Sequence, residues 1–115
     1  MNHRHEKMRL LWNRINTEDF GGQLTEPHFS VSRRANTVEG AFTYARVKGR
    51  ANQMKLMLHK SMFGDPDKFL AAMLHEMIHQ WEVEILGVCA QDTDHHGAFA
   101  EKAAALSLKY NVDVM

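Results

Sequence analysis

Apolar positions recur along this chain with two different periods, and the switches between them mark its elements. Met8, Leu11, Trp12 and Ile15 are spaced three and four apart, which puts them on one face of a helix over residues 3–19 that Gly21-Gly22 ends. From 28 to 59 the period drops to two. Phe29 and Val31 alternate with Ser30 and Ser32, residues 41–47 (AFTYARV) are rich in aromatic and β-branched types, and Met54, Leu56 and Leu58 alternate again, so three strands are predicted. KGRAN at 48–52 reads as the hairpin connection between the last two, because its Gly tolerates turn conformations that other residues resist. Asp65 then offers an N-cap and Pro66 suits the first helical position, where its missing N–H costs nothing. Leu70, Met73, Leu74, Met77, Ile78, Trp81 and Ile85 continue at helical spacing to Gly87. Asp94 is the candidate N-cap of a last helix whose buried face carries Phe99, Ala103, Leu106 and Tyr110. The order helix, three strands, helix, helix is an α+β pattern.

At 115 residues this is a single domain, 1–115. Hydrophobic residues make up 44% and charged ones 24%, the balance of a globular chain able to bury a modest core. No stretch approaches the roughly 20 apolar residues that span a bilayer, and the N-terminus has no apolar run behind its charges. A cytoplasmic protein with no membrane partner is therefore expected. Cys89 is the only cysteine, which excludes an intramolecular disulfide and a CxxC zinc ribbon. A metal site would have to use His, Asp or Glu.

HEMIH at 75–79 offers such a site. Residues four apart on a helix are rotated by about 400° and rise about 6 Å, so His75 and His79 point the same way from adjacent turns and can share one ion. Glu76 flanks them, about 100° around from His75, where a carboxylate can act as general base towards water activated by zinc. The bland alternative is a core helix that carries two satisfied histidines. Against it, three titratable side chains fall in an otherwise apolar run, where unpaired polar groups are costly to bury.

A catalytic zinc takes a third protein ligand and keeps one position open. Candidates downstream are Glu82, Glu84, Cys89, Asp92, Asp94, His95, His96 and Glu101. Glu82 suits orienting a ligand or facing solvent, and Glu84 points elsewhere. DTDHHGAFAEKA at 92–103 is more promising, because after Gly87 the chain can double back and lay the last helix on the preceding one. Periodicity does not choose between His95 and His96, although His96 lies three residues before Phe99 and so on roughly its face.

With these residues in hand, almost the whole chain resembles the SprT-like family of zinc metallopeptidases, which includes the Spartan proteases. LWNRINTEDFGGQL at 11–24 is similar to the family's opening helix and its Phe-Gly-Gly-x-Leu. Glu39-Gly40 with Phe42 and Tyr44 matches its Gly-containing second strand, MKLMLHKSMF at 54–63 matches the strand before its metal helix, and His96-Gly97 with Phe99 resembles its His-Gly third-ligand motif. The resemblance implies a zincin-like α+β fold with a small, mostly antiparallel three-stranded sheet. It implies one catalytic Zn2+ held by His75, His79 and His96, with Glu76 as the catalytic acid/base and His95 beside them. It also implies hydrolysis of peptide bonds in a polypeptide lying extended along an edge strand. Family members often carry a four-cysteine zinc ribbon and Spartan proteins add DNA-binding segments. This chain looks instead like a minimal catalytic domain, of the kind a phage or mobile element encodes.

Charge bears on partners. Net charge is zero, but Arg33, Arg34, Arg46, Lys48, Arg50, Lys55 and Lys60 face only Glu39 across 33–60, while residues 61–115 are acidic. The basic strands 33–60 are thus a candidate nucleic-acid face, or one half of a fold whose halves neutralise each other. Two other functions stay open. One is a non-proteolytic module in which zinc ties two helices and the basic strands bind DNA or protein; the other is a metallohydrolase of non-peptide amides. Tyr44 and Tyr110 are candidates for donating to an oxyanion.

Overall fold

The computed structural model describes residues 3–34, 39–45, 53–89, 93, 95 and 97–115. The sequence pattern accounts for its elements in order: α1 (His3–Asp19), β1 (His28–Ser32), β2 (Gly40–Ala45), β3 (Gln53–His59), a short 3-10 helix (Lys60–Gly64), α2 (Pro66–Glu84) and α3 (Ala98–Tyr110). Asp65 caps α2 as expected, its Oδ1 accepting from the N–H groups of Asp67 at 3.0 Å and Lys68 at 3.3 Å. The hairpin segment 48–52 lies outside the described residues.

The sheet is mixed, not mostly antiparallel. Its order is β1-β3-β2, with β2 antiparallel to β3 and β1 parallel to it. β1 and β2 run in opposite directions, and β3 lies between them. A strand antiparallel to β2 must in that position run parallel to β1. The two edges are consequently β1 and β2.

One face of the sheet carries Met54, Leu56 and Leu58, with Phe29 and Val31 beside them, and buries these against α1 and α2. From α1 come Met8, Trp12 and Ile15, and α2 adds Met73, Leu74, Met77 and Ile78. α3 lies on α2 through Phe99, Ala103 and Leu106. It is also tied to α1, where the Asp19 carboxylate accepts from Lys109 Nζ at 2.6 Å and from the Tyr110 hydroxyl. No described helix is long and apolar enough to cross a membrane.

Gln80, fully buried on α2, holds three elements together. Its Oε1 accepts from Trp12 Nε1 at 3.3 Å, and its Nε2 donates to the Thr25 carbonyl at 2.6 Å and to Glu84 at 3.1 Å. Gln80→Leu keeps the bulk, strands a buried indole N–H and takes the donor from the Thr25 carbonyl. It should lower unfolding stability by about 2–3 kcal/mol in urea denaturation, whereas an unchanged midpoint would mean that water satisfies both groups.

Candidate metal centre

His75 and His79 stand one turn apart on the half-buried face of α2, as their spacing requires. The chain returning towards α3 brings His95 to them. One ligand atom from each of the three imidazoles lies within 4.8 Å of the others, and His79 Nε2 is 3.2 Å from His95 Nε2. His96 and Asp94 lie outside the described residues. α3 begins later than Asp94 would have it, with Gly97 at its N-cap and no side-chain cap. Gly97 has φ of +56°, a left-handed turn that favours glycine.

Phe99 is the floor of the cluster. Fully buried, its ring centroid lies 5.0 Å from that of His75 and 4.7 Å from those of His79 and His95. One apolar ring thus touches all three imidazoles and closes the site from beneath. The outer nitrogens are held by hydrogen bonds. His75 Nδ1 donates to the Val114 carbonyl at 2.8 Å, and His79 Nδ1 meets Glu82 Oε1 at 3.1 Å. If Nδ1 carries the proton in both rings, Nε2 keeps its lone pair.

Electrostatics support the same protonation. Burial, with His75 and His95 nearby, pushes His79 down to about 4, and burial also lowers His75 against the opposing bond to Val114. Both rings are neutral at pH 7, so the Glu82 contact is a hydrogen bond rather than an ion pair. A set of neutral imidazoles whose second nitrogens bond a carboxylate and a backbone carbonyl is the donor chemistry that zinc takes. The residues present fit the ion.

Glu76, only 5% exposed, extends to the other side, under β2. His59 N–H donates to the Glu39 carbonyl at 2.8 Å, so by antiparallel alternation Gly40, Phe42 and Tyr44 turn their backbone polar groups to the free edge. Glu76 takes a backbone hydrogen bond from Phe42 there, yet burial outweighs it and raises the carboxyl to about 7. Gly40 leaves room for this carboxylate: a Cβ at that position would lie 3.0 Å from Glu76 Oε2 and 3.1 Å from the Met57 carbonyl. Beside His75 and Glu76 opens a cleft of about 490 Å³, walled by Gly40, Ala71, Ala72 and Val114.

No protein-family model matches the sequence, and no curated protein matches it. Other candidates are accounted for differently. Glu84 accepts from Thr25 N–H at 2.9 Å, Cys89 is exposed, and the Tyr110 hydroxyl is committed to Asp19. Helical spacing did not reveal the Val114 carbonyl or the Gly40 contact. The alternation of Val112 and Val114 with polar neighbours was a signal for a buried extended tail.

Two consequences can be measured in metal-free protein. A raised carboxyl pKa favours the protonated fold, so the contribution of Glu76 is complete below about 4.5 and is lost as pH rises through 7. Glu76→Gln should therefore gain up to about 3 kcal/mol over wild type at pH 8, shrinking towards zero near pH 4.5, in denaturant titrations with chelator. A gain that ignores pH would contradict the buried carboxyl. Gly40→Ala should cost about 1–3 kcal/mol in the same assay, and a neutral result would show that β2 can move aside.

Proposed function

We propose that the protein is a zinc-dependent endopeptidase in which His75, His79 and His95 hold one ion and Glu76 is the general base. The observation that carries this reading is the convergence of three imidazoles, with the buried Glu76 carboxyl beside His75 in the adjoining cleft. When bound, the ion supplies Lewis acidity that makes water nucleophilic near neutral pH and polarises a carbonyl. Glu76 accepts a proton from the attacking water at a carboxylate oxygen and can return it to the leaving amine. Its raised pKa suits it to both transfers at neutral pH. Phe99 keeps water from the inner side of the cluster.

A polypeptide substrate is favoured by the edge position of β2, whose free polar groups can pair with an extended chain while Phe42 already bonds Glu76. That pairing reads main chain more than side chains. The likeness of Glu39-Gly40 and HEMIH to SprT-like peptidases supports the same reaction.

Contact with nucleic acid is a second reading. Arg33, Arg34 and Lys60 follow the paired residues Ser32 and His59, which groups three basic residues at one end of the sheet. Arg46, Lys48 and Arg50 lie outside the described residues. If the zinc instead only ties α2 to the returning chain, the protein is a binding module without hydrolysis.

Metal content by elemental analysis, with cleavage of an unfolded protein assayed with and without single-stranded DNA, separates these readings. Wild type and Glu76→Gln should each hold one zinc, with cleavage about 10²–10⁴-fold slower in the variant. His75→Ala, His79→Ala and His95→Ala should lose the metal. Zinc without cleavage in wild type would select the binding module, and metal lost from His96→Ala but kept by His95→Ala would move the third ligand by one residue.

A further inference from the structure

We propose that the segment after α3, Asn111–Met115, is a positioning strap for the metal centre, with Ser107 as its anchor and the Val114 carbonyl as its working end. The inference rests on the zinc reading above and concerns residues outside the ligand set.

α3 ends at Asn111, whose left-handed backbone (φ 55°, ψ 46°) turns the chain back along the helix. Two bonds from one residue then hold the returning strand. The Ser107 carbonyl accepts from Val112 N–H at 3.2 Å, and the Ser107 hydroxyl accepts from Val114 N–H at 3.0 Å. The Val114 side chain is 1% exposed and belongs to the core. Gripped on both counts, residue 114 has little freedom, and its carbonyl faces α2.

There it accepts from His75 Nδ1 at 2.8 Å. Ring contacts with Phe99, His79 and His95, all near 5 Å, limit how far the imidazole tilts, but they do not distinguish its two nitrogens. The hydrogen bond does. It requires the proton on Nδ1 and leaves Nε2 as the donor atom, the role that outer partners play at histidine-bound metals. Asp113, Val114 and Met115 also wall the cleft beside Glu76, so a loosened strap would disturb that wall along with the ligand.

The test compares three variants by zinc competition with a chromophoric chelator, the visible spectrum of the Co2+-loaded protein, and thermal melting. Ser107→Ala should weaken zinc by about tenfold or more and shift the Co2+ bands, while Ser107→Thr, which restores the hydroxyl, should recover both. Met8→Ala removes a fully buried side chain of α1 away from the strap. It should melt earlier yet bind zinc within about threefold of wild type. Unchanged zinc affinity in Ser107→Ala would overturn the strap and leave the zinc reading standing. Equal weakening by Met8→Ala and Ser107→Ala would also overturn it, because general packing rather than orientation would then be the cause. Wild type that binds no metal would remove both readings.

Discussion

Helix α2 is buried along most of its length, and each polar side chain on its buried surface needs a partner from another element. An unpaired polar group inside costs several times what a made hydrogen bond contributes net. That asymmetry organises the molecule. Gln80 draws in Trp12 of α1 and the Thr25 carbonyl, Glu84 takes the Thr25 N–H, Glu76 takes a backbone bond from Phe42, and His75 takes the Val114 carbonyl. One helix thereby fixes the loop after α1, the outer strand and the end of the chain. Removing the partners of Gln80 or Glu76 would leave a polar group stranded in the core.

The same burial gives the site its chemistry. Desolvation acts in opposite directions on the two kinds of titratable group: it lowers His79 to about 4 and raises Glu76 to about 7. Neutral imidazoles are what a divalent ion requires, and a carboxyl that titrates near neutrality can both accept and release a proton. Burial is the largest cause of both shifts, and His75 and His95 add to that of His79. Both follow from placing polar residues on a helix that the sheet and α3 cover.

Much of this was legible in the sequence, for reasons that can be named. The start of α2 was plain because Asp65 and Pro66 together suit a helix N-terminus, and its inner face because Met73, Leu74, Met77 and Ile78 kept one period, although Ile85 on the same period is the exposed C-cap. HEMIH was legible because spacing on a helix dictates direction. The sheet was legible as three strands but not as a topology, since alternation says which way side chains point and nothing about which strand lies between the others. The start of α3 was misplaced because Asp94 is a good cap by composition, while the turn is made by Gly97 in a left-handed conformation. His95 and His96 could not be separated because both precede the helix, where no period applies. Alternating Val112 and Val114 marked a buried tail, but alternation of side chains does not say which backbone carbonyl meets His75.

The central claim is that three imidazoles share one ion, and X-ray absorption at the zinc edge of the loaded wild-type protein tests it most directly. A three-histidine site with an open position should give three nitrogen scatterers at about 2.0–2.1 Å with the outer-shell pattern of imidazole rings, plus one further light ligand. Sulfur in the first shell, or only one imidazole among oxygens, would contradict the site and return His75 and His79 to the role of buried core residues.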